Sequence, residues 1–163
     1  MTKAMEQKVA AKTPAKSVDA IALLKSDHRE VEGLFQEFEG LQDGSSAKKG
    51  AVVKQICAAL VVHAALEEEI FYPALREADV DSDIMDEADV EHAGAKALIA
   101  QLQNMKPGDD HYDAKVKVLG EYIKHHVKEE EAEMFKAARA TDADLAELGA
   151  KMTERKAQLE ART

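Results

Sequence analysis

Residues 53–74 read VKQICAALVVHAALEEEIFYPA, and within them Val53, Ile56, Leu60, His63, Glu67, Ile70 and Ala74 follow one another at alternating steps of three and four. That alternation lays a single stripe along a helix, facing a partner. The stripe holds a histidine and, four residues on, a glutamate, and a buried carboxylate without a partner costs several kcal/mol. The stripe recurs three more times. Upstream it is Ile21, Leu24, His28, Val31, Phe35 and Phe38. Downstream come Met85, Ala88, His92, Ala95, Ile99 and Leu102, then Val116, Leu119, Ile123, His126, Glu130, Met134 and Ala137. His28 and His63 stand 35 residues apart, His92 and His126 34, so the chain reads His…His-x3-Glu twice.

Four such helices joined by short connections predict an all-α fold, an up-down-up-down four-helix bundle. Alanine, glutamate, lysine and leucine dominate the 163 residues, aromatics make up 4% and tryptophan is absent, a helical rather than a strand-rich composition. One domain is expected over residues 17–160, with Ser17 as the cap of the first helix and residues 1–16 as a flexible tail. GLQDGSSAKKG (residues 40–50) makes the first turn, and Pro73 should end or bend the second helix. DADLAELGAKMTERKAQLEAR (residues 142–162) carries a shorter stripe of Leu145, Leu148 and Met152, and predicts a further C-terminal helix lying on the bundle.

The formal charge of −10 argues against a nucleic-acid partner, and outside the lysine-bearing residues 1–16 it reaches −13. No apolar stretch approaches the roughly 20 residues that span a bilayer, so no membrane partner is expected. One cysteine, Cys57, lies in the apolar run ICAALVV and reads as a buried core thiol. The N-terminal lysines lack an apolar continuation, so a cytoplasmic protein is expected, as a monomer or a small homo-oligomer.

Histidine and carboxylate facing inward from several helices is how a bundle holds a metal cluster. Residues i and i+4 stand one above the other on a helix face, so His63 with Glu67, and His126 with Glu130, can each reach one site. With His28 and His92 these make six candidate metal ligands, His28, His63, Glu67, His92, His126 and Glu130. Six exceeds a tetrahedral zinc site and suits two metals bridged by the carboxylates, and the mixed imidazole and carboxylate set favours iron over manganese or zinc. No histidine has a glutamate three residues before it, no His-Glu-x-x-His occurs, and one cysteine forbids Cys-x-x-Cys-His attachment of haem. His125 pairs with Glu129, His111 reads as solvated, and Phe71, Tyr72 and Phe135 close the core.

The segments LLKSDHREVEGLF, HAALEEEIFYPAL, VEHAGAKALI and YIKHHVKEEEAEMF resemble the hemerythrin family in its bacterial form, the HHE cation-binding domain, from about residue 18 to 139. The resemblance implies a non-haem centre of two iron ions, bridged by Glu67, Glu130 and an oxo or hydroxo group. It also implies small ligands: oxygen, peroxide or nitric oxide, bound, scavenged or sensed. A catalase-like or oxidase activity at the same centre is the alternative, and a structural or zinc-holding bundle a lesser one. Two positions depart from the oxygen carriers of the family. Lys96 stands where they place a second helix-C histidine, leaving that ligand position to solvent or to a side chain such as Glu32, Glu91 or a tyrosine. Their helix-D carboxylate follows the histidine by five residues, whereas here Glu130 and Glu131 occupy the fourth and fifth positions, and the stripe selects Glu130.

Overall fold

The computed structural model describes residues 18–41 and 45–162; the expected tail and the Ser17 cap lie outside them. The N-cap of α1 (Ala20–Gly40) is Asp19, whose carboxylate accepts the Ala22 N–H at 2.8 Å. A short turn leads to α2 (Ser46–Glu77), then come α3 (Ser82–Gln103) and α4 (residues 112–139), and α5 (Leu145–Glu160) closes the chain. Asp81 and Asp144 cap α3 and α5 in the same way, each carboxylate accepting N–H groups of the first turn.

Helices α1 to α4 form the bundle: α1 packs on α2, α2 on α3, α3 on α4 and α4 back on α1, with α5 laid across α1 and α2. The buried side of α3 is the predicted stripe, residue for residue: Met85, Ala88, His92, Ala95, Ile99 and Leu102. Two apolar cores stack along the bundle. One gathers Ile21, Leu24, Leu66, Phe71, Leu75, Met85, Met134 and Met152; the other gathers Val31, Val53, Ile56, Leu60, Ile99, Val116 and Leu119, with Cys57 buried among them. A buried polar layer lies between them.

Both helices that carry a His-x3-Glu pair widen at the glutamate into one π turn, Glu67–Phe71 and Glu130–Met134. The Tyr72 N–H bonds back five residues to the Glu67 carbonyl, and the Phe135 N–H to that of Glu130. Such turns admit an extra residue and occur often at functional sites. Here they shift the buried register by one: Phe71 and Leu75 are buried where the stripe predicted Ile70 and Ala74, and Ala138 replaces Ala137. α2 runs past Pro73 and ends four residues later at Glu77; the proline lacks only its own N–H, and the π turn just before it rearranges the bonds it would have met. No comparable local feature accounts for the π turn in α4. Contrary also to the reading of the apolar runs, α2 is long and apolar enough to cross a membrane, with mean hydropathy 1.4 in its richest window, but half of that window is buried in the bundle.

Candidate metal centre

The structure brings all six predicted residues into the polar layer, each buried. Their donor atoms form two groups sharing Glu67: His28, His63, Glu67 and Glu130 in one, and Glu67, His92 and His126 in the other, each with its atoms within 4.8 Å of one another. Glu67 joins the groups. Its Oε1 lies 3.1 Å from His63 Nε2 and its Oε2 3.1 Å from His92 Nε2, so its two oxygens face two different histidine pairs. Glu130 Oε2 lies 3.2 Å from His28 Nε2 and 3.8 Å from His126 Nε2, spanning the same two pairs from the other side. This is the placement of carboxylates that can bridge two cations.

Four of these inward atoms, His28 Nε2, His63 Nε2, Glu67 Oε1 and Glu130 Oε2, are buried with no hydrogen-bond partner. They face one another in pairs, His63 with Glu67 at 3.1 Å and His28 with Glu130 at 3.2 Å, and four donors converging on one point fit a group that would satisfy them together. The charges agree. Burial works against an imidazolium at His63, but Glu67, Asp27 and Glu130 overcome it and push its pKa up to about 10. His92 is also raised against its burial, by Glu67 and Glu68. Glu67 stays ionised despite burial, held well below the usual range by His63 and His92, whereas Glu130 is pushed up by burial and by the Glu67 charge.

The sequence pattern did not show what holds the histidines in place. Each turns its Nδ1 to a carboxylate: His63 to Asp27 at 3.4 Å, His92 to Glu68 at 2.9 Å, His126 to Glu91 at 2.6 Å and His28 to Glu131 at 2.9 Å. The ring runs round the bundle. Asp27 on α1 holds the histidine of α2, Glu68 on α2 that of α3, Glu91 on α3 that of α4, and Glu131 on α4 that of α1. Such partners fix the ring orientation and raise the basicity of a ligating histidine. Three of the carboxylates meet a cation in turn: Asp27 takes Lys156 of α5 at 2.6 Å, Glu68 takes Lys96 at 2.5 Å, and Glu131 takes Arg29. Lys96, read from sequence as the place of a missing imidazole, therefore secures the carboxylate that holds His92. Glu91 instead meets His125 at 3.3 Å, which also reaches Glu129 at 3.3 Å, the pairing expected for it.

Tyr72 is buried, as expected of a residue closing the core, but its part in the polar layer was not read from the sequence. The π turn carries it into the layer, where its hydroxyl lies 3.1 Å from His92 Nε2, 3.4 Å from Glu67 Oε2 and 3.5 Å from Glu130 Oε1. Burial and the two glutamates push its pKa far above the usual phenol range, so it keeps its proton. On the opposite side of the histidines a cavity of about 40 Å³ is walled chiefly by apolar side chains, among them Val31, Leu60, Ala95, Ile99 and Ile123. His111 is exposed before α4, in a left-handed conformation.

Comparison with known proteins agrees with this geometry. The chain is 30% identical over 117 residues to a DNA nickase of Nostoc sp. (strain PCC 7120), a match that takes in 72% of this chain and 32% of that protein, so the chain spans about a third of the nickase's length. It superimposes on the crystal structure of a hemerythrin HHE cation binding domain-containing protein from Mycobacterium kansasii with a TM-score of 0.75 at 26% identity, covering 89% of each chain. The model of the hemerythrin HHE cation binding domain matches residues 19–138. With that match over most of its length, and with His and Glu clusters able to hold a metal at its centre, the chain belongs to the hemerythrin HHE cation-binding family.

Proposed function

We propose that His28, His63, Glu67, His92, His126 and Glu130 hold two iron ions, with Glu67 and Glu130 as bridges, and that the centre binds or reacts with oxygen, nitric oxide or peroxide. The observation that carries this is Glu67, a fully buried carboxylate with one oxygen toward each histidine pair. A bound iron pair supplies Lewis acidity and reversible electron transfer. The chain supplies the rest. The ring of Asp27, Glu68, Glu91 and Glu131 keeps each imidazole aimed inward, the two apolar cores exclude water, and the apolar cavity beside the histidines suits a small neutral molecule.

Tyr72 favours a second reading at the same centre, peroxide disproportionation to water and oxygen, because its hydroxyl holds a proton where a ligand's oxygen would need one. Chain purified from iron-fed cells is expected to carry about two irons. Reversible spectral change with oxygen or nitric oxide supports the binding protein, and sustained oxygen evolution from peroxide supports the enzyme. In the latter case Tyr72→Phe should slow evolution by about a hundredfold with iron content unchanged. One zinc per chain, or no metal, overturns both.

Loading the centre should release protons. Before a cation enters, the raised pKa of His63 keeps its imidazole charged at neutral pH, and a metal must displace that proton; His92 is shifted in the same direction by Glu67 and Glu68. Affinity therefore rises with pH, by about tenfold per unit for each proton displaced. A pH indicator in weakly buffered solution measures the release during titration with metal; no release would show that the histidines do not bind.

A further inference from the structure

The two donor groups of the centre differ in what their inward atoms already meet. Among the described residues, the four buried side-chain atoms without a hydrogen-bond partner, His28 Nε2, His63 Nε2, Glu67 Oε1 and Glu130 Oε2, all belong to residues of the first group. The second group is closed. His92 Nε2 lies 3.2 Å from His126 Nε2, so one imidazole N–H donates to the other ring. The Tyr72 hydroxyl lies 3.1 Å from the same His92 nitrogen and donates toward Glu67 Oε2 at 3.4 Å and Glu130 Oε1 at 3.5 Å. The repeat in the chain shows where this difference comes from. Tyr72 follows Glu67 by five residues, directly after the π turn of α2, and Phe135 follows Glu130 by five, directly after that of α4. Tyr72 leans on His92 with ring centres 5.3 Å apart, and Phe135 stacks on His28 at 6.0 Å. The two aromatics hold equivalent places, and Tyr72 alone of the pair carries a hydroxyl.

From this asymmetry we infer that the two metal positions fill in a fixed order: the His28–His63 position takes and keeps the first divalent ion, and the His92–His126 position, closed by Tyr72, takes the second weakly and exchanges it. Chemistry that needs two ions is then switched on by metal supply. The inference rests on reading the six residues as a two-metal centre. An ion in the first position satisfies four buried atoms and breaks no hydrogen bond, and donors already in place need no ordering. Two imidazoles and two carboxylates there make four donors, enough for one divalent ion, whereas the second group offers His92, His126 and Glu67. An ion in the second position must part the two imidazoles and displace the Tyr72 hydroxyl, and each hydrogen bond lost lowers affinity by about two- to tenfold. Repulsion from a first ion weakens the second in any paired site. In this chain the hydroxyl decides which position comes second.

The test is titration of full-length chain, stripped by a chelator and checked for helicity, with cobalt(II), whose visible spectrum counts the bound ions, against a competing chelator. The parent is expected to bind its first ion about a hundredfold more tightly than its second. His126→Ala should keep the tight ion and lose the weak one, whereas His28→Ala should lose the tight step. Tyr72→Phe should tighten the second step by about tenfold and leave the first alone, and Phe135→Tyr should weaken the first step by about as much. Two equal steps in the parent, or one ion held equally well by His28→Ala and His126→Ala, overturn the order. A second step unchanged or weakened in Tyr72→Phe overturns the part given to the hydroxyl. A parent that binds no cobalt overturns the metal centre itself and the inference with it, an outcome distinct from two equal steps.

Discussion

Glu67→Ala is expected to leave purification with less than one metal ion per chain and to melt about 6–20 °C below the parent. The metal loss follows from geometry, since Glu67 is the shared member of both donor groups and its two oxygens face His63 and His92. With it gone, each group loses a ligand, and Glu130 alone is left to serve both the His28–His63 and the His92–His126 pairs, too few donors to hold two ions against chelation. The stability loss follows from burial. Glu67 is fully buried against charged His63, and breaking a buried pair costs about 3–5 kcal/mol because the surviving charge is stranded. In a chain of this length each kcal/mol lowers the melting temperature by about 2–4 °C. Glu68→Ala is the control: it removes the neighbouring charge, which is part-exposed and touches His92 from outside, and should weaken metal binding by about 10–100-fold without the large drop in melting temperature. Metal analysis and thermal melts of the two variants decide the matter, and full metal content with a parental melt in Glu67→Ala would show that this residue is no bridge.

Glu67 and Glu68 also mark where sequence reading succeeds and where it stops. The stripe found Glu67 because a glutamate in phase with leucine and isoleucine has to be buried. Glu68 is rotated by about 100° from its neighbour, off the stripe, and read alone looks like solvated surface. Its role depends on the next helix. Each lone histidine follows an acid, Asp27-His28 and Glu91-His92, and each ligand glutamate precedes one, Glu67-Glu68 and Glu130-Glu131. The doubled pattern is thus acid-His…His-x3-Glu-Glu, a longer repeat than the histidines alone display, and it was legible had the flanking acids been counted. Tyr72 read only as closing the core beside Phe71, and its contact with the histidines was not legible. A periodicity of 3.6 places Ile70 and Ala74 inward, and only a π turn, which that periodicity cannot express, aligns Tyr72 with the polar layer and buries Leu75. Likewise Lys96 read as an imidazole lost, because its partner Glu68 lies 28 residues away on another helix.

The helix α5 connects the same centre to a position with no chemistry of its own. A Cβ at Gly149 would lie 2.1 Å from the Val18 carbonyl oxygen, 2.7 Å from the Asp19 carbonyl carbon and 2.8 Å from the Ala20 nitrogen. These are backbone atoms at the capped start of α1, so they cannot turn aside as a side chain would. Gly149→Ala must therefore lift α5 or unravel the Asp19 cap, and is expected to cost about 2–4 kcal/mol, a fall of about 4–16 °C in melting temperature. Lifting α5 uncovers Met152, now fully buried, and pulls Lys156 from Asp27 and Arg155 from Glu69. Asp27 holds His63, so the variant should also lose metal to a chelator faster than the parent. Lys156→Met separates the two effects. It removes the charge behind Asp27 while α5 stays docked through Met152 and Gly149, so chelator loss should quicken with a melting shift of only about 2–4 °C, the share of one part-exposed ion pair. If Gly149→Ala melts with the parent, the close backbone approach does not dock α5. If Lys156→Met keeps its metal as the parent does, the fifth helix supports the bundle but not the centre.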